Sequence, residues 1–182
     1  MAVNNPVPPI PPKKSTLDTA ANIAIILVCA IAAVVLIRNQ FFPKQAAAPG
    51  NMPQIEKGEQ YAQLKDVVPA GANRALVVAV QPGCHFCNDS MPFYKRLIDE
   101  RNQKGSPVKF VAAVPSDDAK GQEAQKFSAV GTQPDSMVKL DFGAVKVPGT
   151  PTLVLVDNSG KVLNVWVGKL DEGGEKEVLK VL

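Results

Sequence analysis

Histidine and cysteine are scarce in this chain: one histidine and three cysteines among 182 residues. Three cysteines are too few for a disulfide scaffold. A structural zinc site needs four side-chain ligands. His85 lies between Cys84 and Cys87, and no second Cys/His pair exists to complete such a site. Aromatic residues make up only 5% of the chain, and the formal net charge is a mild +3. No basic cluster is interleaved with aromatics, so nucleic-acid binding has no support. Internal repeats are also missing.

Charge is absent altogether from one long stretch, residues 20–37, which is interrupted only by Asn22. Eighteen helical residues span about 27 Å, close to the hydrocarbon thickness of a bilayer. A permanent anchor and a cleaved signal peptide are the two readings. The run is longer than a signal core, and the small residues Ala46-Ala47-Ala48 lie beyond Arg38 and Lys44, which favours a single transmembrane helix. Flanking positive charge is nearly balanced and does not set orientation. A short N-terminal tail before a first span commonly stays inside, which would put the C-terminal part outside the cytoplasm. Residues 1–19, with prolines at 6, 8, 9, 11 and 12, read as a disordered tail, and residues 38–53 as a linker. Cys29, within the apolar run, reads as a lipid-facing residue.

Residues 54–182 alternate between strand-like and helix-like runs. Ala75–Val80 and Val108–Val114 read as buried strands, with a helix over Asn88–Asn102 between them. Asp117-Asp118 reads as the cap of a second helix running to about Val130, with acidic residues suited to its first turn. Met137–Leu140 reads as a short strand. Thr152–Val156 and Val162–Val167 flank the turn Asp157-Asn158-Ser159-Gly160, forming a hairpin, and Asp171–Leu182 reads as a closing helix. This order is an α/β layered domain.

The chemistry concentrates in Pro82-Gly83-Cys84-His85-Phe86-Cys87, where a buried strand turns into a helix. The first turn of a helix carries unpaired N–H groups and partial positive charge. A thiol placed there loses its proton more readily and becomes a nucleophile at neutral pH. The second cysteine, one turn on, can close a disulfide or resolve a mixed one. Protonated His85 would stabilise the Cys84 thiolate further; otherwise it is an exposed residue filling the turn. Phe86 reads either as a substrate contact or as a cover over Cys87. Trp166 reads as core. The sequon Asn88-Asp89-Ser90 falls in the active-site helix and is discounted.

Three blocks together resemble the thioredoxin-fold proteins of the membrane-anchored TlpA/ResA type. The first is the apolar strand, the Cys84–Cys87 dithiol, and then Met91-Pro92. The second is Val147-Pro148-Gly149-Thr150-Pro151-Thr152-Leu153-Val154, similar to the loop whose cis-proline faces the dithiol. The third is Asp157–Lys161 with the hairpin and helix that follow. The resemblance covers about Gln54 to Leu182. It implies a thioredoxin-like fold, a central mixed sheet flanked by helices, here with an N-terminal transmembrane helix. It also implies thiol–disulfide oxidoreductase activity, with Cys84 and Cys87 catalytic and Thr150 with a cis Pro151 docking the substrate; His85 and Phe86, on the readings above, are the candidate modulating residues. No metal or organic cofactor is required, since the cysteines carry the electrons. The implied partners are extracytoplasmic proteins with cysteines or disulfides and a CcdA/DsbD-type membrane donor. The implied location is a bacterial inner membrane, single-pass, with the domain on the periplasmic side.

The chain departs from the family at Val78, where a buried acid is usual, at Ser90, where a glutamate is often found, and at Gly83, which replaces a tryptophan. The direction of electron flow is therefore left open among reductase, oxidase and isomerase. The alternative from another class is a copper delivery or assembly factor on the same fold, binding through Cys84, Cys87 and His85.

Overall fold

The computed structural model describes residues 25–30 and 54–182. The chain divides into two units, Met1–Ala47 and Ala48–Leu182. In the first, residues 25–30 are helical, with Ile25, Ile26, Leu27 and Val28 exposed. No helix among the described residues is long and apolar enough to cross a membrane. The tail 1–19, the linker 38–53 and most of the expected span 20–37 lie outside the described residues.

The second unit runs α1 (Ala62–Val67), β1 (Arg74–Ala79), α2 (His85–Asp89), α3 (Met91–Lys104), β2 (Lys109–Val114), α4 (Asp117–Ala129), β3 (Ser136–Lys139), β4 (Thr152–Asp157), β5 (Val162–Val167) and α5 (Glu172–Leu179). Its five strands form one sheet in the order β3-β2-β1-β4-β5. β1 pairs parallel with β2 and antiparallel with β4; β2 and β3 are parallel, β4 and β5 antiparallel. β1 lies in the middle, which explains its unbroken apolar sequence. A strand covered on both faces has no polar side to alternate with.

Alternation along the strands divides the core in two. Leu76, Val78, Phe110, Ala112, Leu153 and Leu155 face a layer built with Tyr94, Leu97, Trp166 and Val178. Ala75, Val77, Val111, Ala113, Val154 and Val156 face the other way, against Leu64, Val67 and Val145. Each fully buried Val, Leu or Phe contributes about 1.5–3 kcal/mol relative to exposure. Trp166 is fully buried, opposite Leu153, and its indole N–H donates to Glu177 Oε2 at 3.4 Å.

Four expectations need correction. The helix expected over Asn88–Asn102 starts earlier, at His85, and is broken at Ser90 before running to Lys104. Pro92, in the first turn of α3, has no N–H to donate, and its ring excludes the carbonyl four residues back, so two helices form. Ser116, not Asp117 or Asp118, occupies the N-cap of α4; the two aspartates sit in its first turn. The closing helix ends at Leu179, and Asp171 caps it by accepting from Gly174 N–H at 2.8 Å. Helix α1 was not anticipated.

A strap before α1 joins two distant parts of the domain. Gly58 N–H donates to Val162 O at 2.8 Å, and Val162 N–H donates to Glu59 O at 2.8 Å, fixing the strap to β5. Ile55 N–H donates to Lys146 O at 2.9 Å. Lys146 Nζ meets Glu59 Oε1 at 2.8 Å, and Glu59 Oε2 accepts from Glu56 N–H at 2.8 Å and from Tyr61 O–H at 2.5 Å. Lys146 foremost, then Tyr61, hold the Glu59 carboxyl down to about 2 from an ordinary 4.5. Lys146 is raised in turn by the same hydrogen bond. A carboxylate lowered on folding adds stability above its unfolded value and loses it as pH falls toward the folded one. The stability difference between wild type and Glu59→Gln is therefore expected to be full above pH about 4.5 and to vanish toward pH about 2. Urea midpoints measured across that range check this.

Candidate active site

Gly83, at φ 77, turns the chain from β1 into α2. A side chain is disfavoured in that left-handed region, so glycine suits this turn. Cys84 follows as the N-cap of α2, with extended backbone angles φ −74 and ψ 106. Its Sγ accepts the Cys87 N–H at 3.1 Å, the position a serine or aspartate oxygen takes in ordinary caps. Sulfur thus replaces oxygen at a helix start, where negative charge on it is stabilised.

Cys84 and Cys87 are joined as a disulfide, with Cα atoms 5.2 Å apart. Their surroundings differ. Cys87 is fully buried, whereas Cys84 is 9% exposed. Only Cys84 is open to an incoming sulfur. The carbonyl oxygen of Thr150 lies 3.3 Å from Cys84 Sγ. The Thr150–Pro151 peptide is cis. Pro151 is buried and its carbonyl accepts from Gly168 N–H at 2.7 Å, while Thr152 Oγ1 donates to Gly149 O at 2.7 Å. A loop some 66 residues away in sequence thus comes to lie against the first cysteine.

His85 is largely exposed, and its Nε2 is 3.5 Å from Asp89 Oδ2. Asp89 also accepts from Lys169 Nζ at 3.0 Å. That hydrogen bond, and the His85 charge to a lesser degree, hold the Asp89 carboxyl below its ordinary value. The i,i+4 spacing is the signal that could have paired His85 with Asp89; no local pattern brings in Lys169, 80 residues from Asp89. Phe86 is 56% exposed and its ring stands 5.6 Å from that of His85. Among residues 54–182 the exposed large apolar side chains are Phe86 and Val167.

Of the three departures named above, the two positions where the resemblance leads one to expect an acid carry none. Val78 is fully buried in β1, and Ser90, also buried, donates its hydroxyl to Phe86 O at 2.8 Å. For the copper alternative, His85 is directed at Asp89, and the described residues contain no group of three or more His, Cys, Asp or Glu side chains able to hold a metal.

A central parallel β-α-β unit, an antiparallel hairpin, a closing helix and a proline loop against the helix-capping cysteine now stand together. The fold is thioredoxin-like. No protein-family model and no curated protein matches the chain by sequence. Among solved structures it is similar to StoA from Bacillus subtilis, at 17% identity and a TM-score of 0.47, over 60% of this chain and 84% of that one. It is also similar to MTB DsbF, solved in mixed oxidized and reduced forms, at 17% identity and 0.45, over 60% and 81%. A Chlorobium tepidum protein described as a thiol:disulfide interchange protein DsbE gives 20% identity and 0.49, over 71% and 95%. The thioredoxin-like character rests on the strand order and on the meeting of Cys84 with Thr150 and Pro151.

Proposed function

We propose that this protein is a thiol–disulfide oxidoreductase acting on cysteine-containing proteins through Cys84 and Cys87. One observation carries the reading: a slightly exposed helix-capping sulfur, accepting the Cys87 N–H, is bonded to a fully buried partner sulfur. In the reducing direction, the Cys84 thiolate attacks a substrate disulfide, forming one S–S bond and releasing one substrate thiolate, which takes a proton. The Cys87 thiol then loses its proton and attacks Cys84 Sγ. The mixed bond breaks, the second substrate thiolate is released and protonated, and the Cys84–Cys87 disulfide remains. Two electrons pass from the protein to the substrate. Oxidation of a substrate dithiol is the same sequence reversed, so no further reactant is needed. The carbonyl of Thr150 and the exposed ring of Phe86 border the attack site and would meet the incoming chain.

In the finer reading the protein is of the TlpA/ResA type. Residues 20–37 hold it in a bacterial inner membrane, the domain lies on the periplasmic side, and a CcdA/DsbD-type protein supplies electrons. The uncharged run at 20–37, the exposed apolar side chains of the helical residues 25–30 and the three matching blocks support it. The activity is tested by insulin reduction with dithiothreitol, run beside an anaerobic copper titration. Faster insulin precipitation with the protein supports exchange; tight copper binding without exchange overturns it. Protease cleavage of the domain in intact spheroplasts tests the membrane orientation.

A further inference from the structure

We propose that Glu59 and Lys146 are positioning residues for this exchange site, holding the loop that presents Thr150 to Cys84. The inference rests on the oxidoreductase reading. Lys146 is the one non-glycine residue among those described with a positive φ, 55. A side chain in that region is strained and persists only where the surroundings enforce it. Here the enforcement comes from the strap. Ile55 N–H holds the Lys146 carbonyl, Glu59 holds its ammonium, and the Tyr61 ring lies 5.8 Å beneath that ammonium. The strap is itself fixed to the start of β5 through Gly58, Glu59 and Val162.

From Lys146 only three residues, Val147, Pro148 and Gly149, lead to Thr150. Pro148 fixes one backbone dihedral in that short connection. Val147 N–H is tied back to Phe142 O at 2.8 Å, and Gly149 O to the Thr152 hydroxyl. The connection has little slack, so the position of Lys146 bears on the Thr150 carbonyl 3.3 Å from Cys84 Sγ. The far end of β5 closes the frame, because Gly168 N–H holds Pro151 O. One strap thus fixes the start of β5 and the start of the loop, and the two meet again beside the dithiol. Docking of a peptide against Thr150 depends on that frame; the intrinsic reactivity of Cys84, set by its helix cap, does not.

The test compares Lys146→Met and Lys146→Arg with wild type in the full chain. Each is assayed with a disulfide-bonded peptide and, separately, by alkylation of reduced Cys84 with iodoacetamide. Lys146→Met is expected to lower kcat/KM for the peptide about tenfold through KM, less than the roughly hundredfold that a 1 Å misplacement of reacting groups can cost. The alkylation rate and the dithiol potential stay within twofold and unshifted, roughly, because the cap is untouched. Lys146→Arg, which keeps a cation able to reach Glu59, retains most of the wild-type rate. Lys146→Gly, which takes the left-handed backbone without strain, is expected to lose less than Lys146→Met. Unchanged peptide kinetics in Lys146→Met, or equal losses in peptide exchange and alkylation, overturn the positioning role. Inactive wild type in the peptide assay would instead overturn the oxidoreductase reading, while leaving the frame itself visible as a loss of folding stability in Lys146→Met.

Discussion

Cys84→Ser is expected to abolish disulfide exchange, by roughly three orders of magnitude or more, because a serine hydroxyl at neutral pH is neither ionised nor able to form the mixed bond. Cys87→Ser is expected to fail differently. The first attack proceeds, but no sulfur remains to resolve the mixed disulfide, so partner proteins accumulate covalently on Cys84. The asymmetry follows from burial, since Cys84 is slightly exposed and Cys87 fully enclosed. Non-reducing electrophoresis of cells expressing each variant checks it. Equal trapping by both variants would contradict the assigned roles. Both variants should remain folded, since each substitution exchanges one small side chain for another of similar shape, and α2 keeps its cap through a serine oxygen in Cys84→Ser.

Gly160→Ala is expected to be the most damaging single methyl in the domain. A Cβ at Gly160 would stand 2.3 Å from the Tyr61 carbonyl oxygen and 2.8 Å from Lys65 N, both backbone atoms. The residue also sits at φ 82, where alanine is strained. The β4–β5 turn and the start of α1 are packed so closely that neither can yield without loss of the Tyr61 N–H to Gly160 O bond, 3.1 Å long. The expected loss is about 3 kcal/mol, a fall in Tm of roughly 10 °C for a domain of this size. Gly131→Ala is the control. Gly131 has a similar φ of 73, but open space where the Cβ would go, so only the backbone cost of about 1 kcal/mol applies. Thermal unfolding of both variants separates crowding from conformation; equal losses would contradict the packing argument.

The strands were legible because the sheet interior imposes a simple rule on sequence. β5 matches its expected bounds Val162–Val167, and β1, β2, β3 and β4 differ from theirs by about a residue at either end. Helix α1 was not legible. Its six residues offer Leu64 and Val67 as their only large apolar side chains, too few to show a period. The dithiol was legible at a strand-to-helix turn, but the helix itself was begun at Asn88 rather than His85, because its cap is a cysteine and caps are sought among Ser, Thr, Asp and Asn. The break at Ser90 could have been read from Pro92, whose fixed ring stops the ladder of the preceding helix. At the site, Cys84, Cys87, Thr150 and Pro151 were identifiable from local pattern and family likeness. The contacts that surround them join residues far apart in sequence, such as Lys169 with Asp89 and Lys146 with Glu59, 80 and 87 positions away. No local pattern records a pairing of that kind.

Attack by Cys84 depends on negative charge being stabilised at its sulfur. The most direct measurement is the pH titration of the reduced protein, following thiolate ultraviolet absorbance in wild type and in Cys87→Ser. Cys84 should lose its proton well below the value of about 8.5 for a free cysteine, because the helix start and the Cys87 N–H favour the thiolate. Cys87, enclosed and without such a donor, should titrate above that value. A Cys84 proton lost only at or above about 8.5, or a Cys87 that ionises first, would contradict the account.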